Sequence, residues 1–232
     1  FIAIAESSPM IGEIGAFVLR HACAQGRAWL DAGGAPLAMA VNVSVAQLWH
    51  RDVAQDVRNA LEETDFPAEL LCVELTESVF EDGALPRIQA LFAELKKIGV
   101  KLALDDFGTG YSSLKYLNTL AFDRLKIDRS FVQDCHLDAE KRRLLQGIVA
   151  MGQGLGMETV VEGVESEKEL QIVADMGCNA VQGYYFARPR VFHEACLDAA
   201  RVEAEFSLQP VMWRQEPVFA SSAQRGPIAA VG

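Results

Sequence analysis

Six short runs of mostly apolar residues recur along the chain, each followed by a helical pattern. The runs are residues 36–44 (PLAMAVNVS), 69–77 (ELLCVELTE), 100–107 (VKLALDDF), 122–128 (FDRLKID), 157–163 (METVVEG) and 179–185 (NAVQGYY). Continuous rather than alternating hydrophobicity over this length predicts strands covered on both faces. Between them the period changes to that of a helix. Ile88, Leu91, Phe92, Leu95 and Ile98 fall on one helical face that stops at Gly99. Leu144, Leu145, Ile148 and Val149 make a second stripe, which runs into the glycines of GQGLG. Ser166 and Glu169 stand at capping-box spacing before a third, which ends at Gly177. Strand and helix in alternation predict a parallel α/β fold with helical crossovers.

The count of units and the character of the strand ends narrow that class. A closed barrel of eight parallel strands takes about 250 residues, and six units suit a modified TIM-type (β/α)8 barrel of which about six βα units are present. An open doubly wound sheet is the alternative. The predicted strands end in polar residues: Asn42, Glu74, Asp105 with Asp106, Lys126, Glu162 and Gln182. In a barrel such ends converge on one mouth, where catalytic groups gather, whereas an open sheet concentrates them at a switch point. Residues 1–206 are therefore expected to form the barrel. Residues 207–232, with three prolines and no sustained period, are expected to be a flexible tail.

Composition changes the picture in three ways. A net charge of −11 argues against a general nucleic-acid binder, and no DNA partner is expected. The five cysteines form no CxxC pair and the four histidines no zinc-ligand spacing, which fits reduced thiols in a cytoplasmic protein. No apolar run is long enough to span a bilayer, so no membrane contact is expected from this segment.

The strand ends offer carboxylates, an amide and an ammonium. Hard divalent cations such as Mg²⁺ or Mn²⁺ prefer that all-oxygen donor set. Adjacent aspartates repel unless a cation lies beside them, and paired metals about 3.5–4 Å apart can clamp both oxygens of a phosphoryl displacement. Successive strand residues point to opposite faces, so Asp106 has to turn inward where the loop of Gly108 and Gly110 begins. Capping or a surface turn is the ordinary fate of one such pair; carboxylates at three strand ends favour a site. Lys126 either pairs with Asp128, snorkels, or holds a phosphate oxygen or a water. Glu162, after TVV, faces either inward or the surface. GQGLG follows a helix and precedes a strand, the reverse of a nucleotide-binding glycine motif, and reads as helix termination.

The phrases VNVS, ELTES, DDFGTGYSSL, LKIDRSFV, VVEGVE and QGYYFARP occur in that order. Together they resemble the EAL-domain family of bacterial cyclic di-GMP phosphodiesterases, from residue 1 to about 195. The resemblance implies hydrolysis of one phosphodiester bond of cyclic di-GMP to the linear dinucleotide pGpG, with two Mg²⁺ or Mn²⁺ ions. It implies Asn42, Glu74 and Asp105 as ligands of the first metal, with Asp105 bridging to the second and Asp106 and Glu162 alongside. Lys126 matches the lysine at the attacking water, which makes Lys126, Glu162 and Asp106 the catalytic set. Gln182 and Asp128 are placed with the substrate. Glu77 matches the residue that anchors the loop 107–114, with Gly108, Thr109 and Gly110. A homodimer and an upstream sensory or GGDEF-type domain are further implications. The motif that names the family, Glu-Ala-Leu, is expected with two further strands upstream of Phe1, and its glutamate would complete the metal ligands. The alternative to an active enzyme is a catalytically silent cyclic di-GMP receptor that signals to a protein partner. An alkaline activity optimum is expected, because the ligands must be ionised and water deprotonated.

Overall fold

The computed structural model describes residues 2–80, 85–110, 114–117, 119–192 and 194–196. The tail at 207–232 and part of the 107–114 loop lie outside the described residues. The described residues pack as two compact units, divided between Lys126 and Ile127.

In the first unit, α1 (Ile2–Glu6) and α2 (Met10–Asp31) precede β1 (Met39–Asn42), and α3 (Val45–His50) and α4 (Val53–Thr64) lead to β2 (Leu71–Thr76). Then α5 (Leu85–Ile98), β3 (Lys101–Phe107), α6 (Leu114–Leu117) and β4 (Arg124–Ile127) follow. The strand order β1-β2-β3-β4 repeats the sequence order, with β1–β2 and β2–β3 parallel. That is the consequence of a helical crossover between each pair.

Burial explains the apolar runs. β2 is buried at every position but its last, and β3 from Leu102 to Asp105. Leu71, Val73, Leu102 and Leu104 are fully covered. On α5, Ile88, Phe92 and Leu95 carry the core stripe, and the helix ends where Gly99 N–H donates to the carbonyls of Leu95 (3.2 Å) and Lys96 (3.1 Å). Phe92 meets Phe122 edge-on, with ring centroids 4.9 Å apart, and Phe80 stacks on Tyr116. These rings fix the approach to β4. The loop before β4 is tied to β3 by Asp123, whose Oδ2 accepts from Leu102 N–H (2.7 Å) and pairs with Lys96 (2.6 Å). Two helices lie between β1 and β2. Each has a polar start: Ser44 with Gln47 forms a capping box, and Asp52 accepts from Gln55 N–H (3.0 Å).

In the second unit, α7 (Ala139–Gly154), β5 (Glu158–Val161), α8 (Glu167–Asp175) and β6 (Ala180–Val181) alternate, and β5 pairs with β6 in parallel. Asp138 caps α7 through the N–H groups of Glu140 (2.9 Å) and Lys141 (3.1 Å). Leu145, Ile148, Val149 and Gly152 face inward. Leu144, expected on that stripe, is 54 % exposed, because the covered positions follow 145, 148, 149 and 152 and leave 144 at the edge. α7 ends at GQGLG, where Leu155 N–H donates back to Met151 (3.0 Å) and Gly152 (3.2 Å), as the order of motif and strand predicts. The Ser166–Glu169 capping box opens α8.

All six predicted strands are present within their predicted runs; β3 loses only Val100, whereas β6 contracts to Ala180–Val181. Among the described residues no helix is long and apolar enough to cross a membrane.

Candidate active site

Register places the acidic residues of the first unit. In a parallel ladder, residues in register share a face. Asn42 of β1 lies opposite Glu74 of β2, and Glu74 lies opposite Ala103 of β3. Asp105 is opposite Thr76, two residues along from Glu74, so Asn42, Glu74, Ala103 and Asp105 all belong to one face. Glu74 is therefore mid-strand rather than at a strand end, with β2 running on to Thr76. The small, fully buried Ala103 leaves room beside it.

Lys126 enters that face from β4. Its Nζ lies 2.7 Å from Glu74 Oε2 and 2.9 Å from Asp105 Oδ1. Glu74, Asp105 and Lys126 are 5 %, 6 % and 6 % exposed. Two carboxylates and one ammonium, nearly all desolvated, form a bridge across three strands. Of the fates open to Lys126 in the sequence, the structure shows ion pairing with carboxylates of two other strands. Removing one partner from such a buried group typically costs about 3–5 kcal/mol, because the remaining charge cannot be rehydrated.

Asp106 solves the geometric problem of two consecutive aspartates by its backbone. Its φ is +52°, in the left-handed region that few side chains adopt. Its N–H donates to Asp105 Oδ1 (3.0 Å), and its carbonyl accepts from Thr109 Oγ1 (2.9 Å) and N–H (3.3 Å). Asp105 stays buried on the strand while Asp106 is half-buried where the strand gives way to the loop.

That loop is held from β2's end. Glu77, buried in the short helical turn Glu77–Phe80, accepts from Gly108 N–H at Oε1 (3.2 Å) and from Gly110 N–H at Oε2 (2.8 Å). Gly108 has φ +97°, and a Cβ on Gly110 would lie 2.9 Å from Glu77 Oε2. Gly108 thus needs glycine's conformational freedom, while a Cβ at Gly110 would push on the carboxylate that holds the loop.

In the second unit, Glu162 follows β5 and its N–H donates to the carbonyl of Ile127 (3.0 Å). Gln182 follows β6; its N–H donates to Val161 (2.9 Å), while its side-chain Oε1 is buried with no hydrogen-bond partner among the described residues. Asp128 accepts from Ser130 N–H (2.9 Å) and caps the turn Arg129–Phe131.

One grouping has no signal in the sequence spacing. Asp134, His136 and Glu169 bring ligand-type atoms within 4.8 Å of one another. Glu169 is committed to the backbone there: it accepts from the N–H groups of Asp134 (3.1 Å), Glu165 (3.0 Å) and Ser166 (3.0 Å). Burial pushes its carboxyl up, but these donors outweigh that and hold it below the usual glutamate range. It acts as a clasp between two loops. The cysteines Cys23, Cys72, Cys135 and Cys178 are buried free thiols.

A parallel α/β domain whose strand register gathers buried acids around one lysine is the class that fold and site define. The chain belongs to the EAL domain family, whose profile matches residues 1–189. The bifunctional diguanylate cyclase/cyclic di-GMP phosphodiesterase MucR of Pseudomonas aeruginosa is 40 % identical over 189 residues, which are 82 % of this chain and 27 % of MucR. An uncharacterized protein, y4lL of Sinorhizobium fredii, is 41 % identical over 189 residues, covering 82 % of this chain and 22 % of its own. The chain spans about a quarter of the length of the curated relatives it matches. The structure of the PaMucR phosphodiesterase in complex with c-di-GMP is similar at a TM-score of 0.78 and 38 % identity, covering 84 % of this chain and 78 % of that one. The manganese/cyclic di-GMP complex of Klebsiella pneumoniae BlrP1 has a TM-score of 0.67 at 27 % identity, covering 77 % and 44 %. The α/β fold expected from the sequence, of the modified TIM-type barrel kind, is the class of these neighbours.

Proposed function

We propose that this chain belongs to a cyclic di-GMP phosphodiesterase that hydrolyses one phosphodiester bond to give pGpG, using two Mg²⁺ or Mn²⁺ ions. The observation that carries the reading is the buried Glu74–Lys126–Asp105 bridge with Asn42 in register beside it. The names of MucR and the ligands of the PaMucR and BlrP1 structures support it. The donors fit hard divalent cations: four carboxylates and an amide oxygen, with no thiol or imidazole among them. Asn42, Glu74, Asp105, Asp106 and Glu162 would hold the ions. Such cations offset the charge that builds on phosphate oxygens and acidify water.

The chain's own side chains carry the rest. Lys126, set on the buried strand β4 beside Glu74 and Asp105, presents its ammonium where a phosphate oxygen or the attacking water is held. Water adds to phosphorus, the bond to one ribose oxygen breaks, and that oxygen leaves with a proton. Glu77 keeps the 107–114 loop in place through its hold on Gly108 and Gly110. Gln182 and Asp128 take the substrate; the buried Oε1 of Gln182 is an acceptor suited to a guanine N–H. Self-association into a dimer and control by an upstream sensory or diguanylate cyclase domain belong to the same proposal, as does a cytoplasmic setting. The rate is expected to rise from pH 6 to pH 9.

The test is turnover of cyclic di-GMP by the full-length protein with Mg²⁺ or Mn²⁺, against Asp105→Asn and Glu162→Gln. The expected result is pGpG from the wild type and a loss of about 10²-fold or more in each variant. Wild-type protein as inert as the variants overturns the enzyme reading, and tight binding in EDTA without turnover replaces it with a silent receptor.

A further inference from the structure

Lys126 makes two short ionic contacts with the carboxylates that the proposed function assigns to a divalent cation. We propose that Lys126 is also a built-in competitor for that cation: its ammonium sets how tightly the metal is held, by occupying Glu74 Oε2 and Asp105 Oδ1. This inference rests on the metal-dependent reading.

The argument is one of charge and burial. Glu74 and Asp105 come from adjacent strands and point to one face, and neither is open to bulk water. Two buried carboxylates without a counter-charge would repel each other and bear a heavy desolvation cost. Lys126, from a third strand, removes both problems within the first unit. It does so from a rigid position: β4 is buried from Leu125 to Ile127, so the Cα of Lys126 has little freedom and only its four-carbon stem can move. A cation binding the same two oxygens therefore meets a positive charge already bonded to them. It must displace the ammonium from at least one oxygen or share the carboxylates with it at close range. Either way, part of the metal's binding free energy is used against Lys126.

The arrangement has two consequences for a lysine that also handles phosphate. Weakened metal binding makes metal loading respond to cation concentration instead of being saturated at all levels. Release of the ammonium from the carboxylates also couples metal arrival to the freeing of the Lys126 Nζ, so the group meant for an anionic substrate becomes available when the metal arrives. Arginine at the same position would keep the charge; methionine would keep the length of the stem and remove it.

The experiment measures Mn²⁺ binding to the full-length protein by calorimetry without substrate, for wild type, Lys126→Met and Lys126→Arg. Circular dichroism and thermal melting establish that each variant is folded. K126M is expected to bind Mn²⁺ at least about tenfold more tightly than wild type, K126R within a few-fold of wild type, and metal-stripped K126M to melt lower than metal-stripped wild type. A second measurement needs no variant to fold: in wild-type protein labelled at lysine Nζ, titration with diamagnetic Mg²⁺ should shift one buried lysine resonance as metal loads. Wild type that binds Mn²⁺ while K126M binds it equally or more weakly overturns the competitor role and leaves the enzyme reading standing. An Mg²⁺ titration that loads metal without moving a lysine resonance does the same. Absence of Mn²⁺ binding in wild type and K126M alike overturns both.

Discussion

Replacement of Glu77 by alanine isolates the contribution of one side chain to the loop that follows the paired aspartates. Glu77 is buried and its two oxygens each take one backbone N–H, from Gly108 at 3.2 Å and Gly110 at 2.8 Å. A hydrogen bond to a charged partner contributes about 1.5–3 kcal/mol, so the pair is bounded at roughly 3–6 kcal/mol. Gly108, Thr109 and Gly110 are exposed, and water replaces the lost acceptor for their amides; the net cost of opening the loop should fall to about 2–3 kcal/mol. That cost is local. The amides of Gly108 and Gly110 should exchange with solvent about 30- to 100-fold faster in E77A, at about 1.4 kcal/mol per factor of ten. The protection of β2 and β3 amides such as Val73 and Leu104, deep in the core, should change far less. Glu77→Gln sharpens the test. It preserves shape but offers one oxygen and one NH₂ group, and the NH₂ would face a backbone N–H donor. E77Q should therefore release at least one of the two glycine amides, in contrast to its conservative appearance. Native-state hydrogen exchange read by NMR measures all of these. Unchanged exchange at Gly108 and Gly110 in both variants would refute the claim that Glu77 holds the loop.

Three further outcomes follow from the same structure. Glu169 has its carboxyl held below its ordinary value of 4.5, so its stabilising contribution is complete above that value and is lost as pH falls through its lower folded value. The stability gap between wild type and Glu169→Gln, from urea unfolding, should be constant near neutrality and shrink as pH drops below about 4.5; a gap that widens on acidification contradicts the assignment. Burial pushes the thiols of Cys23 and Cys72 up to about 11 and that of Cys178 up to about 12, so iodoacetamide at pH 8 should leave them unmodified in the folded protein and label them rapidly in urea. Asp106→Ala should be less stable than Asp106→Gly by about 1 kcal/mol, since alanine pays for φ +52° and glycine does not; equal stabilities in denaturant titrations would place the strain elsewhere.

The fold was largely readable from the chain because burial on two faces leaves a mark that periodicity detects. Leu71, Val73 and Leu75 of β2, and Leu102 and Leu104 of β3, are the residues that made those runs continuous, and they are the ones with almost no exposure. Edges were less readable. The run at 179–185 contracts to the two-residue β6, because apolar character in Tyr184 and Tyr185 reflects exposed aromatic surface and not a ladder. Leu144 was misassigned for a related reason: a stripe three residues wide does not reveal from sequence alone which edge is wet.

The site divides along the same line. That Glu74, Asp105 and Lys126 carry chemistry could be inferred from residue type at the ends of apolar runs, since burying such groups without a partner is costly. Which of them are bonded could not, because that depends on register. Asp128 stands two residues from Lys126 in sequence and on the same strand's exit, yet Lys126 reaches Glu74, which is 52 residues away, because the parallel pairing of β2 and β3 brings Glu74 and Asp105 to one face. Asp106 shows the limit most clearly. Alternation along a strand would send consecutive aspartates to opposite faces, and the chain escapes that by taking Asp106 into the left-handed region, which leaves its carboxylate within 4.8 Å of that of Asp105. The strain at Asp106 is compensated by the Thr109 bonds to its carbonyl and, from the end of β2, by Glu77's grip on Gly108 and Gly110. The paired aspartates and the glycine-rich loop after them are therefore one device: the loop holds the backbone turn that keeps a carboxylate oxygen of Asp106 within 4.8 Å of one of Asp105, while Asp105 remains buried against Lys126.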